Sequence, residues 1–139
     1  MRQISVLVVE DDVLNSKLET TALQEGGYNV YAAQSIEDCL IMLERDKPDI
    51  IVLDRGLPDG DGAEFCTTLK KDPLFRSIPV IMLTGNVEAG DNMPGFGWSA
   101  DDYLAKPYDI EELLEKVNAV VKRFYGEAAD GGRPKPGRH

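Results

Sequence analysis

Apolar and polar positions along this chain alternate between two kinds of pattern. Short aliphatic runs, "ISVLVV" (4–9), "NVYAA" (29–33), "DIIVL" (49–53), "PVIML" (79–83) and "DYLA" (102–105), read as five strands. The first, third and fourth are nearly continuous apolar runs, as in central parallel strands covered on both faces. Helical patterns lie between them. Residues 13–25 set Leu14, Leu18 and Ala22 one turn apart, with Gly26 and Gly27 as the stop. Ser35 is placed to cap a helix over 36–45 with Ile36, Leu40 and Leu43 on its inner face. Residues 62–71 bring Phe65 and Leu69 together at i, i+4. The stretch 109–124 has Asp109 as cap and an apolar stripe running from Ile110 through Leu113, Val117 and Val121 to Phe124.

Repeated alternation of strand and helix predicts an α/β fold, a doubly wound parallel sheet with helices on both faces. The segment 86–100 should supply the fourth helix, yet it holds Gly90, Pro94, Gly95 and Gly97. Those residues are unfavourable inside a helix, so a short or irregular one is expected. Beyond Tyr125 no apolar periodicity remains. The expected organisation is one domain over 1–125 and a disordered tail or linker over 126–139.

Charge narrows the function. Asp and Glu outnumber Lys and Arg by 25 to 15, a net charge of −10. Such a field repels phosphate backbones and attracts divalent cations, so direct nucleic-acid binding by this segment is not expected. No apolar run approaches the ~20 residues needed to cross a bilayer, and the acidic start is unlike a secretory leader. A cytoplasmic location without membrane attachment is the expectation. Cys39 and Cys66 fall inside helical patterns without metal-ligand spacing and read as reduced, packed thiols.

The residues at the carboxyl ends of the strands form a coherent set. Strand one delivers Glu10 and Asp11, the third Asp54, the fourth Thr84, and the fifth Lys106 followed by Pro107. In open α/β sheets ligands gather at this edge. Three carboxylates converging there call for a hard cation with oxygen ligands, and Mg²⁺ fits because it is held by carboxylates, waters and phosphate oxygens. Asp12, Asp59 and Asp61 read as turn and cap residues.

In order and spacing, "LVVEDD", "VLDRGLPDGDG", "VIMLTG" and "DDYLAKPYD" resemble the receiver domain of bacterial two-component response regulators, over roughly residues 3–124. The resemblance implies a flavodoxin-like five-stranded sheet of order 2-1-3-4-5, the order of the chemotaxis regulator. It implies that Asp54 is the phosphoacceptor, with Lys106 and Thr84 binding phosphoryl oxygens. Mg²⁺ would be held by Asp11, Asp54 and the Gly56 backbone carbonyl, with Glu10 acting through water. Tyr103 matches the switch aromatic, together with Thr84, and the Lys106–Pro107 peptide would be cis.

The partners so implied are a sensor histidine kinase and an output domain or downstream protein. The chain reads either as a stand-alone receiver or as the first part of a longer regulator. A phosphorylation-dependent homodimer is left open, although Asn118 stands where regulators with winged-helix domains usually carry a basic residue. Two rivals share parts of the pattern. A flavin mononucleotide binder needs an anion cradle after the first strand, where this chain puts three acids. A magnesium-dependent hydrolase with an aspartyl nucleophile wants a second acid two residues on, where this chain has Gly56. His139 is the only histidine, so the chain is expected to receive phosphate and not to generate it.

Overall fold

The computed structural model describes residues 3–85 and 100–126. Among the described residues seven strands and four helices follow one another as β1 (Ser5–Val9), α1 (Val13–Glu25), β2 (Asn29–Ala33), α2 (Ile36–Asp46), β3 (Ile50–Asp54), β4 (Gly56–Leu57), β5 (Gly60–Asp61), α3 (Gly62–Lys71), β6 (Val80–Thr84), β7 (Asp102–Ala105) and α4 (Ile110–Tyr125). Five strands form a parallel sheet in the order β2-β1-β3-β6-β7. With the two-residue strands β4 and β5 set aside as a separate hairpin, this is the expected order 2-1-3-4-5. Of the segment 86–100, where an irregular helix is expected, residues 86–99 lie outside the described residues, as do residues 127–139 of the expected tail 126–139.

Burial follows position in the sheet. All five residues of β3 and of β6 are buried, while the edge strands β2 and β7 keep exposed positions. Successive side chains of a strand point to opposite faces, and the core divides accordingly. Val6, Val8, Ile50, Val52, Ile81 and Leu83 pack with Leu23 of α1 and Leu113, Val117 and Val121 of α4. Leu7, Val9, Ile51, Leu53 and Met82 pack with Cys39 and Leu43 of α2 and Phe65, Cys66 and Leu69 of α3. The fold is doubly wound. Among the described residues no helix is long and apolar enough to cross a membrane.

Helix starts follow the local chemistry. Asp12, Ser35 and Asp61 accept backbone N–H groups of Asn15, Asp38 and Ala63, at 3.0, 3.1 and 2.9 Å. The Glu112 carboxylate accepts the Asp109 N–H at 2.8 Å, closing the start of α4. Asp59, on the tip of the β4–β5 hairpin, accepts the Ile36 and Glu37 N–H groups and ties the hairpin to α2. Those bonds hold its carboxyl below the usual range.

Three orientations differ from expectation. Leu14 and Leu18 do not face the core: they are 74% and 61% exposed, and the inward face of α1 carries Ser16, Glu19 and Leu23. The inward positions are set by what lies beneath the helix, which here is the acidic end of β1, so the apolar i, i+4 row is turned out. Leu40 is likewise exposed on α2, where Cys39 and Leu43 fill the inner face, and Phe124 is partly exposed at the end of α4. Asn118 is engaged: its side-chain oxygen accepts the Tyr28 hydroxyl. Both cysteines are free and buried, and burial pushes the Cys39 thiol up to about 12.

Candidate functional site

Parallel register brings the strand ends to one edge. Val9 pairs with Leu53, Asp54 with Leu83, and Thr84 with Ala105. The residues that follow or close these strands therefore meet: Glu10 and Asp11 after β1, Asp54 ending β3, Thr84 ending β6, and Lys106 after β7. Glu10, Asp54 and Thr84 are buried and Asp11 is exposed.

A short ion pair joins the middle of this set to its far end. Lys106 Nζ donates to Asp54 Oδ1 at 2.6 Å, with the Asp54 side chain 6% exposed. The Lys106 backbone N–H donates to the Thr84 carbonyl at 2.9 Å, and the Lys106–Pro107 peptide is cis. On the other side, ligand atoms of Glu10, Asp11 and Asp54 all lie within 4.8 Å of one another. Gly56 sits two residues past Asp54 in β4, and with Asp54, Arg55, Asp61, Thr84 and Lys106 it lines an open cavity of about 590 Å³. The site residues expected from the strand ends are thus brought together. Tyr103 lies in β7 opposite Met82, half-buried and packed against the α2–α3 side of the core.

The start of α3 presses against the carboxyl end of β3. A Cβ on Gly62 would stand 2.4 Å from the Asp54 carbonyl oxygen and 2.8 Å from the Arg55 Cα. Glycine is the residue that permits this approach, and the Gly62 N–H uses it to donate to the Arg55 carbonyl at 2.7 Å.

Electrostatics mark the same spot. Burial lifts the Glu10 carboxyl to about 7; the Asp12 N–H opposes this, and the charges of Asp54 and Glu19 add to it. Burial also disfavours the Lys106 ammonium, yet the hydrogen bond and charge of Asp54, with the charges of Glu10 and Glu19, carry its pKa above the ordinary value. Among the described residues the carboxylates of Glu10, Asp11, Asp54, Glu19 and Asp61 outnumber the cations Lys106 and Arg55, and the surplus is negative.

Sequence reasoning missed Glu19 and Tyr108, which lie beside the site. The Glu19 carboxylate accepts the Tyr108 hydroxyl at 2.5 Å. A signal was present in the spacing: Ser16, Glu19 and Leu23 also make an i, i+3, i+7 row, passed over because it is polar. Arg55 and Asp61, which line the cavity and pair at 3.3 Å, were also not assigned to it.

Fold and site together define a flavodoxin-like α/β domain with an acidic pocket at the carboxyl edge of its sheet. The chain belongs to the response regulator receiver domain family, whose sequence model matches residues 6–118. Phosphoryl acceptance is the standard role of that family. Among curated relatives, the KDP operon transcriptional regulatory protein KdpE of Escherichia coli K12 is 38% identical over 125 residues, 90% of this chain and 54% of that protein. The phosphate regulon transcriptional regulatory protein PhoB of the same strain is 36% identical over 119 residues, 86% of this chain and 52% of that protein. The chain spans about half the length of these curated relatives. A putative response regulator from Chloroflexus aurantiacus superposes with a TM-score of 0.79 at 32% identity, covering 88% of this chain and all of the other. Chemotaxis response regulator CheY4 of Vibrio cholerae gives 0.78 at 26% identity, covering 85% of this chain and 98% of the other.

Proposed function

We propose that residues 1–125 form a receiver unit in which Asp54 takes a phosphoryl group from a phosphohistidine of a sensor kinase. The observation that carries this reading is the convergence of Glu10, Asp11 and Asp54 beside the Lys106 ammonium. The Asp54 carboxylate attacks phosphorus, an O–P bond forms as the N–P bond breaks, and the imidazole leaves with the electron pair. Little covalent work falls to the protein, so positioning and charge neutralisation dominate. Lys106 binds one equatorial oxygen, and the Thr84 hydroxyl donates to another.

The donor set fits Mg²⁺: oxygen atoms only, with Glu10 Oε1 buried and lacking a hydrogen-bond partner among the described residues. Asp11, Asp54 and the Gly56 carbonyl would hold the ion, with Glu10 acting through water. Bound there, it would neutralise charge on the phosphoryl oxygens and on the acidic cluster. Self-catalysed acceptance and loss of phosphate, without turnover of an outside substrate, is the activity expected.

Signalling follows from the neighbours of Asp54. Thr84 moves toward the phosphoryl group, and Tyr103, half-buried beside it in the sheet, turns into the space released. Carrying such an equilibrium from 1:99 to 99:1 takes about 5.5 kcal/mol, within reach of a few charge-assisted hydrogen bonds to a dianion. The changed surface acts on an output domain or downstream protein. Val13, Leu14 and Leu18, exposed on α1 near the acids, offer apolar surface to the phosphodonor protein.

Intact mass spectrometry after incubation with acetyl phosphate tests the reading. One phosphoryl group should be added with Mg²⁺ and none in excess chelator. An unchanged mass under both conditions would overturn it.

A further inference from the structure

Glu19 is a carboxylate that the reading above leaves without a role. It lies on the inward face of α1 and is 2% exposed, where glutamate is found almost only when paired. One of its oxygens accepts the Tyr108 hydroxyl at 2.5 Å, and Tyr108 follows Lys106 by two residues in the β7–α4 connection. Its other oxygen, Oε1, and Glu10 Oε1 are buried without a hydrogen-bond partner among the described residues. The two carboxyl groups are close enough to influence each other, and Glu19 also feels the charges of Asp54 and Lys106. Two separate elements, the end of β1 and the loop carrying Lys106, therefore meet at one side chain from the inner face of α1.

Stability alone does not account for a carboxylate here. A leucine would bury apolar surface with no polar oxygen left unmet, whereas each unmet buried oxygen opposes folding. What Glu19 touches is the machinery of the site on both sides. We propose that Glu19 is a positioning residue of the phosphoryl-transfer site, joining Glu10 of the acidic cluster to Tyr108 of the loop that carries Lys106.

The inference rests on the phosphoacceptor reading and adds to it a link between its two halves. A carboxylate offers about four lone-pair directions. One side of Glu19 is taken by the Tyr108 hydroxyl, and the other carboxylate oxygen lies toward Glu10. A shift of Glu10 as the acidic cluster captures its cation is passed through Glu19 to Tyr108, and so to the backbone beside Lys106. The link has room to move, because a cavity of about 440 Å³, lined in part by Asn15, Glu19, Lys106 and Tyr108, opens next to it. Partners standing behind metal ligands commonly alter metal affinity by about ten- to hundredfold when removed.

The test uses the full chain and two variants. Tyr108→Phe removes one hydroxyl and no charge. The double variant Glu19→Leu/Tyr108→Phe replaces both partners by apolar groups, which should hold or raise Tm. Two readouts are taken: the Mg²⁺ dissociation constant by calorimetry without phosphodonor, and the phosphorylation rate by acetyl phosphate at saturating Mg²⁺. In both variants Mg²⁺ binding should weaken on the order of tenfold, and phosphorylation should stay slower than wild type even when Mg²⁺ is saturating. A purely structural contact would move Tm and neither readout. Loss confined to one readout, or to neither, would overturn the link. Wild-type protein that takes up no Mg²⁺ would overturn the phosphoacceptor reading and the link together.

Discussion

Lys106 Nζ stands 2.6 Å from Asp54 Oδ1 and is the ammonium set against the buried acids at the end of the sheet. Coulomb attraction at this distance gains from partial burial, and the pair spans two strands with β6 between them. Lys106→Met should therefore act in two ways. Phosphorylation of Asp54 should slow by at least about tenfold, the scale of one charge-assisted hydrogen bond. Without Mg²⁺ the variant should also melt below wild type, because the carboxylates lose their counter-charge. Stopped-flow phosphorylation and differential scanning calorimetry read the two effects separately.

A cation that binds the native acidic cluster and not the unfolded chain must raise Tm. At a Mg²⁺ concentration 100 times its dissociation constant, the gain is about 2.7 kcal/mol. Asp11→Asn should lose most of that gain while keeping a metal-free Tm close to wild type, since Asp11 is exposed. Calorimetric scans with Mg²⁺ and with chelator check this.

The Glu10 carboxyl gives the metal-free protein a pH dependence of definite sign. Its pKa is raised from 4.5 to about 7, by burial first and by Asp54 and Glu19 after that. In that window the native chain keeps a proton that the unfolded chain has lost. The contribution is fully present below 4.5 and is lost as pH rises through about 7. Metal-free Tm should fall from about pH 5 to about pH 7.5, and Glu10→Gln should flatten the fall. Thermal melts in chelator across that range measure it; a parallel fall in Glu10→Gln would assign the dependence to other groups.

Gly62→Ala probes the packing of α3 on the end of β3. The added Cβ meets backbone at 2.4 Å, an atom that no side-chain rotation can move. A loss of about 1–3 kcal/mol is expected, the usual scale of overpacking. Phosphorylation should fall with it, because the clash falls on Asp54 itself. Urea unfolding and acetyl-phosphate kinetics on the same preparation give both values.

The strand ends were legible because burial and chemistry agree there. β3 and β6 are uniformly apolar up to Asp54 and Thr84, so the polar residue marks the edge. The caps Asp12, Ser35, Asp61 and Asp109 were legible for the same local reason. The face of α1 was not. A hydrophobic row at Leu14 and Leu18 looked like the core side, whereas the buried side holds Glu19, whose hydrogen-bond partner Tyr108 comes from a distant part of the chain. Periodicity reports the usual environment of a helix face and is blind to a carboxylate that tertiary partners make tolerable. The β4–β5 hairpin was missed because two-residue strands leave no periodic trace, although "GLPDGDG" carries the turn residues that form it.

The central claim is that Asp54 is the residue that accepts phosphate. Borohydride reduction of the phosphorylated chain converts an aspartyl phosphate to homoserine, which peptide mass mapping locates. The account predicts homoserine at position 54 in wild type and none in Asp54→Asn under the same Mg²⁺ and acetyl phosphate. Homoserine at another aspartate in the wild-type chain, or undiminished labelling of Asp54→Asn, would contradict it.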